Sequence, residues 1–269
     1  MRERVVMKLG GGLITQKDQL KVPNLSTIDN LVEQISNVMK EGFDVILVHG
    51  AGSYGHLKAK EYRLSEGRIE GFESPLKLTQ RQAIEEVRND MMELNDHIMK
   101  ALTKQDITAI SFPPHQWAKG TGLNFEGDLS PFIEAPRGIV TVTFGDVVPC
   151  DEPKLFGILS GDDLVARLSI EVPNVKRLVF AIGGVDGVLS QPPHLATAED
   201  LIEILSPETV YVGEHKSAID VTGGIGLKVQ RGLEVAANGI EVVMVSGEYP
   251  ERVYKACIGG EFRGTRFKN

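Results

Sequence analysis

Short apolar runs alternate with longer amphipathic stretches along nearly the whole chain. Val5 to Leu9 is apolar apart from Lys8 and stops at Gly10-Gly11-Gly12, which predicts a buried strand and a glycine turn. From Ser26 to Lys40, Ile28, Leu31, Val32, Ile35, Val38 and Met39 recur at three- and four-residue spacing behind a Ser/Thr cap. That pattern predicts an amphipathic helix, ended by Gly42. Val45 to Val48 has no polar interruption, as in a parallel strand covered on both faces. A strand, helix, strand crossover is therefore complete by residue 49.

After a second glycine-rich turn, Gly50 to Gly55, the polar stretch Arg63 to Ser74 predicts a mobile loop. Leu76 to Lys104 predicts a long helix, with Ile84, Val87, Met91, Leu94, Ile98 and Leu102 on one stripe. Ile107 to Phe112 predicts a strand ended by Pro113-Pro114, Gly120 to Glu126 a turn, and Leu129 to Ile133 a short helix. Ile139 to Phe144, Val147 to Cys150 and Leu155 to Leu159 are strand-like, the last two as a hairpin. Asp162 to Ile170 is helical, and Val175 to Ile182 is a core strand running into Gly183-Gly184. Helices near Leu227 to Asn238 and Pro250 to Ile258 enclose a strand at Val242 to Val245, and Gly264 to Phe267 predicts a last strand. Strands alternating with helices imply an α/β sandwich. With no repeat, linker or low-complexity tract, residues 1–269 are expected to form one domain with two functional lobes.

Composition narrows the function. The 269 residues are 42% hydrophobic, enough for a sizeable core, and a net charge of -8 with no basic cluster argues against an extended nucleic-acid surface. Trp117 and the five tyrosines form no stacking ladder either. Any anionic substrate must then be held by a local site. Cys150 and Cys257 are too few for a disulfide scaffold or zinc cage and read as buried thiols in a reducing compartment. No apolar run approaches the roughly 18 residues of a membrane span, and Met1-Arg-Glu-Arg leads straight into the first strand. A cytoplasmic protein without a signal peptide or membrane partner is expected.

Four constellations could carry chemistry. In Lys8-Leu-Gly-Gly-Gly-Leu-Ile-Thr-Gln-Lys17, glycines at a strand end let backbone N–H groups approach an anion, and Lys8 adds charge inside the strand. An unpaired ammonium there would be costly, although a glycine turn alone is commonly structural. The spacing matches neither of the common nucleotide loops. His49-Gly-Ala-Gly-Ser-Tyr-Gly-His56 adds a second set of backbone donors at a helix start; His49 reads equally as an anion holder or as a cap on the strand, and His56 as an anion holder or an exposed side chain. In Ser160-Gly-Asp-Asp-Leu164 an Asp could cap a helix, but two acids exceed what capping needs, leaving one to orient lysines or a metal. In Asp220-Val-Thr-Gly-Gly-Ile-Gly-Leu-Lys228 a lysine in the first helical turn opposes the helix dipole and needs an anionic partner, such as bound phosphate.

In this order the four blocks resemble the amino acid kinase family, with Met7 to Gly12 and Ile14 to Lys17, Val48 to His56, Phe144-Gly-Asp-Val147 with Ser160 to Asp163, and Asp220 to Lys228. Gly264-Thr-Arg266 is similar to the family's final strand. The histidine closing the second block resembles the members that phosphorylate isopentenyl phosphate, because acyl-phosphate-forming members lack it. The resemblance implies an open αβα sandwich with a mainly parallel central sheet, an acceptor lobe over about 1–172, a nucleotide lobe over about 173–269, and a homodimer. It implies transfer from ATP, with Mg²⁺, to isopentenyl phosphate, giving isopentenyl diphosphate and ADP. Lys8 would then bridge the two phosphate groups, Lys17 and Lys228 would stabilise the migrating phosphoryl, His56 would hold the acceptor phosphate, and Asp162 would orient the lysines. Gly10, Gly11, Ala51, Gly52, His56 and Gly161 would contact the acceptor; Lys8, Gly12, Lys17, Gly183, Asp186, Gly187, Gly224 and Lys228 would contact the nucleotide. No protein ligand set for a metal is expected. One block departs from the family, which usually has Thr-Asp-Val-Asp-Gly where this chain reads Gly183-Gly-Val-Asp-Gly187. Two side chains that help hold the nucleotide are thereby lost. A kinase of another small phosphate or phosphonate, as in fosfomycin kinases, and a non-catalytic ligand-binding regulator are the alternatives.

Overall fold

The computed structural model describes residues 3–16, 19–73, 78–212 and 224–269. β1 (Arg4–Leu9) leads through a single helical turn, α1 (Gly11–Ile14), to α2 (Leu25–Lys40) and back to β2 (Asp44–His49), which pairs with β1 in parallel. The glycine turn expected after β1 is thus partly helical, and the expected Ser/Thr cap of α2 is absent: Asn24 stands at its N-cap and bonds through no side chain. α3 (His56–Glu61) follows the second glycine loop. The segment expected to be mobile, as far as residue 73, instead contains a 3₁₀ turn at Leu64–Glu66 with Leu64 fully buried. Gly67 lies so close to Lys154 that a Cβ would collide with it, which pins the segment; Ser74 is outside the described residues.

α4 (Gln80–Lys104) starts at a capping box in which Thr79 accepts from the Gln82 N–H and Gln82 reaches back to Thr79 N. The expected start at Leu76 is outside the described residues. Next come β3 (Ala109–Ser111), the small hairpin β4 (Ala118–Lys119) and β5 (Glu126–Gly127), α5 (Ser130–Ile133), β6 (Val140–Phe144), the hairpin β7 (Asp146–Pro149) and β8 (Phe156–Leu159), and α6 (Gly161–Glu171). β9 (Val175–Ile182), β10 (Ile204–Leu205), α7 (Gly224–Ala237), β11 (Glu241–Ser246), α8 (Pro250–Ile258) and β12 (Thr265–Phe267) complete the chain. β10, only two residues long, carries no periodicity in the sequence.

Eight strands form one sheet in the order β10-β12-β11-β9-β1-β2-β6-β3, parallel from β11 to β3, with β12 running against β11. Alternation along β1 sorts its side chains onto two cores. Val5, Met7 and Leu9 face a layer built from α2, α4 and α8, while Val6 faces α6 and α7. Each fully buried aliphatic side chain contributes roughly 1.5–3 kcal/mol, so the two cores hold the central strands in a fixed register. Lys8 falls on the same side of β1 as Val6 and therefore points toward α6. Cys257 is buried as expected, whereas Cys150 is only partly so, and both are free thiols. Among the described residues no helix is long and apolar enough to cross a membrane.

Candidate active site

The chain leaves β1 toward β2 on one side and leaves β9 toward β11 on the other, so the two crossovers part at the carboxyl ends of adjacent strands. Such a switch point opens a crevice in a parallel sheet. Here it is a cleft of about 700 Å³ between the glycine loops after β1 and β2, the start of α6, the end of β9 and the start of α7.

The two glycine loops interlock backbone to backbone. A Cβ on Gly11 would collide with Gly52 N, one on Gly50 would lie 2.7 Å from Gly11 N, and one on Gly52, whose φ is +51°, would meet Thr15 Oγ1. Only glycine meets both the steric and the conformational demand at Gly52. Thr15 locks the junction, donating to Gly11 O at 2.8 Å and accepting from Ser53 N at 3.0 Å. His49, just before the second loop, is fully buried against Phe144, 4.8 Å between ring centroids, and burial pushes its imidazole down to about 4. It is a neutral core side chain, which decides between its two readings.

At the floor of the cleft, Asp162 lies between two lysines. Lys8 Nζ donates to Asp162 Oδ1, and Lys228 Nζ is 3.4 Å from Oδ2 and 3.1 Å from Gly224 O. Lys8 and Asp162 are almost completely buried. Burial opposes the charge on Asp162, but Lys228 and Lys8 outweigh it and hold the carboxyl below its ordinary value. Gly161 makes room for this arrangement, since a Cβ there would sit 3.2 Å from Lys8 Cε. Asp162 and Asp163 both lie in the first turn of α6, where negative charge meets the helix dipole favourably. The cap itself is Ser160, which accepts from Asp163 N at 3.0 Å, and Asp163 pairs with Arg231 at 2.7 Å. The anionic partner that Lys228 requires is therefore Asp162, and Lys228 stands in the second turn of α7, not the first.

Part of the cleft is an apolar recess. Leu57 and Ala59 of α3, Val87 and Met91 of α4, and Ile158 of β8 form its walls, and His56, first residue of α3, stands at its rim. Elsewhere Gly183, Gly184 and Val185 line the cleft together with Pro192, Pro193 and His194.

Of the expected site residues, Lys8, Gly10, Gly11, Gly12, Ala51, Gly52, His56, Gly161, Asp162, Gly183, Gly224 and Lys228 all line this cleft. Asp186 and Gly187 do not. Asp186 is taken up by Arg252 at 2.5 Å and Arg263 at 2.6 Å, and Gly187 packs on Thr265. Both hold structural contacts here, Asp186 with the two arginines and Gly187 against Thr265. Lys17 lies outside the described residues, as do residues 220–223 of the last motif. Among the lining residues to which the sequence reading assigned no role are two titratable ones, Asp146, inside the quoted Phe144-Gly-Asp-Val147, and His194. Asp146 is buried and accepts from His115 Nδ1 at 2.6 Å, a pairing across 31 positions that leaves no local signal.

The Gly183-Gly184 departure has a backbone cause. Gly184 has φ +83° and donates its N–H to Glu248 at 2.8 Å, while Gly183 has ordinary backbone but tight space, its Cβ position being 3.2 Å from Leu13 Cα. Gly184→Asp is expected to cost about 1 kcal/mol or more through strain. Thermal melts of Gly183→Thr/Gly184→Asp should therefore fall below the parent with no gain in ATP KM; a variant of equal stability with tighter ATP binding would show that the turn tolerates side chains.

Comparison with known proteins agrees with this geometry. An isopentenyl phosphate kinase of Methanothermobacter thermautotrophicus is 30% identical over 97% of this chain and 98% of its own length. A crystal structure of an isopentenyl phosphate kinase superimposes with a TM-score of 0.81 at 28% identity, covering 99% of this chain and all of the other. The product complex of the Thermoplasma acidophilum isopentenyl phosphate kinase does so with a TM-score of 0.77 at 27% identity, covering 98% and 99%. The profile of the Amino acid kinase family matches residues 3–246, and with two glycine loops, paired lysines and a sheet of this topology the chain belongs to that family.

Proposed function

We propose that this chain transfers the γ-phosphoryl group of ATP to the phosphate of isopentenyl phosphate, forming isopentenyl diphosphate and ADP. One arrangement carries the reading: a buried Lys8–Asp162–Lys228 centre lies between two glycine loops, and the cleft includes an apolar recess with His56 at its rim. Phosphoryl transfer between two anions is mainly a matter of positioning and charge neutralisation. Lys8 and Lys228 supply fixed positive charge, Asp162 keeps both ammonium groups aimed at one point, and the loop N–H groups hold phosphate oxygens. Lys17, four residues after Leu13, is read as a further cation on the migrating group. The acceptor oxygen is already ionised near neutral pH, so no general base is assigned.

The acceptor is assigned to the lobe of about 1–172 and the nucleotide to that of about 173–269, beside Gly183 and Gly224. Mg²⁺ is read as arriving on ATP, as is usual for phosphoryl transfer from a nucleoside triphosphate. Its ligands would be phosphate oxygens and water. Family resemblance also supports a cytoplasmic homodimer. Leu57, Val87, Met91 and Ile158 favour an acceptor with a hydrocarbon tail over a compact phosphonate, and the assembled lysines favour turnover over mere binding.

A coupled ADP-release assay with isopentenyl phosphate, fosfomycin and inorganic phosphate in parallel tests the proposal. Turnover with isopentenyl phosphate is the expected result, and its absence alongside turnover of another acceptor would replace the substrate. His56→Ala should lower kcat/KM for isopentenyl phosphate by about tenfold, near the 1.4 kcal/mol of one charge-assisted contact. Unchanged kinetics in the folded variant would remove His56 from the site.

A further inference from the structure

Outside the reacting centre, an ionic cluster joins three segments around the acceptor end of the cleft. Asp90, in the middle of α4 and 7% exposed, divides its carboxylate between two cations. Oδ1 is 2.9 Å from Lys21 Nζ, and Oδ2 is 2.8 Å from Lys58 Nζ. Each lysine has a second partner on the same helix: Glu93 is 2.5 Å from Lys21, and Glu86 is 2.8 Å from Lys58. The acids recur at helical spacing, so Glu86, Asp90 and Glu93 form one stripe with Asp90 as its shared middle member. Donating hydrogen bonds to Asp90 and Glu93 holds Lys21 charged well beyond the ordinary lysine range. Burial works against the charge on Lys58, but Asp90 and Glu86 raise its pKa overall.

What the lysines carry gives the cluster its meaning. Lys58 is two residues after His56 in α3, a helix of only six residues with little packing of its own. Lys21 has φ +56°, a conformation costly for a residue with a side chain. Its N–H reaches Ser53 O at 3.4 Å in the second glycine loop. The cluster thus ties the segment after α1, the glycine loop and the His56 helix to one point on α4. One turn before Asp90 and one residue after it, α4 presents Val87 and Met91 to the recess.

We propose that Asp90 is a positioning residue for the acceptor phosphate: its divided carboxylate draws α3 and the segment bearing Lys21 together over the acceptor end, and so sets the place of His56. This rests on the function proposed above. The nucleotide end, at Gly183, Gly184 and Gly224, belongs to the loop after β9 and the start of α7, and none of the cluster's ion pairs involves it. Asp90→Asn leaves Lys21 with Glu93 and Lys58 with Glu86, so neither ammonium is orphaned and the fold should stand. What disappears is the common anchor.

The test combines steady-state kinetics with amide hydrogen exchange on the full chain. Asp90→Asn is expected to raise the KM for isopentenyl phosphate about tenfold and to leave the KM for ATP within about twofold. It should also speed exchange in residues 19–24 and 56–61, while the centre of β1 stays protected. Lys58→Met, which cuts only the α3 arm, should reproduce the acceptor effect and speed exchange in 56–61 alone. Parallel rises in both KM values, or unchanged exchange in both segments of Asp90→Asn, would overturn the positioning role. If the parent chain shows no turnover of isopentenyl phosphate, the function proposal falls by that result, and the exchange data still decide whether Asp90 organises these segments.

Discussion

Lys8→Met should abolish phosphoryl transfer while leaving the chain folded. Lys8 is almost completely buried on β1, and its ammonium group reaches Asp162 beneath the cleft. Methionine keeps most of the side chain's length and apolar stem, so packing beside Val48 and Gly161 survives. Asp162 keeps Lys228 as a partner at 3.4 Å and is not orphaned. The transfer step, by contrast, loses a cation held in a low-dielectric site, where charge developing on the phosphoryl oxygens is worth far more than in water. A fall in kcat of about 10³-fold or more, roughly 4 kcal/mol, is expected. Single-turnover assays beside a thermal melt check it: near-parental turnover would dismiss the bridging role, and a collapsed melt would mean that Lys8 is needed first for folding.

Removing the partner has a different signature. In Asp162→Ala two ammonium groups share a buried pocket without the carboxylate that balances them, and breaking a buried ion pair in this way costs about 3–5 kcal/mol. Part of Lys228 reaches solvent, its side chain being 17% exposed, which puts the expected loss at the lower end of that range. An anion can take the vacant place. ATP should therefore raise the melting temperature of Asp162→Ala by more than that of the parent, because a ligand that binds only the folded state stabilises it by mass action. Transfer should still be slow, since the lysines are balanced but no longer aimed. If the variant melts with the parent in the absence of nucleotide, Asp162 is not what balances the two lysines.

Much of the fold is local information. The apolar stripe from Ile28 to Val38 and the uninterrupted run from Val45 to Val48 record how each segment meets a core, and the structure returns α2 and β2 within a residue or two. The start of α6 after Ser160 follows from the same kind of short-range chemistry. Short edge elements such as β10 escape it, because two residues carry no periodicity. So does the pinning of Gly67, which depends on a residue far along the chain.

The sequence by itself also pointed to many of the residues that line the cleft, because glycine loops at strand ends and a lysine within a strand are costly unless something uses them. What they do to one another belongs to the tertiary structure. Lys8 and Asp162 are 154 positions apart and meet because alternation turns Lys8 toward the side of the sheet on which α6 begins. Gly11 and Gly52 are required by each other's backbones, a demand no single loop displays. Asp186 reads from its motif as a nucleotide contact, yet Arg252 and Arg263, 66 and 77 positions away, take up its charge. Asp90 gives no signal on a helix rich in acids, and only the approach of Lys21 and Lys58 from two other segments makes it an anchor. Residue type and period are properties of a segment, whereas charge pairing and backbone contact depend on which segments the packed cores bring together.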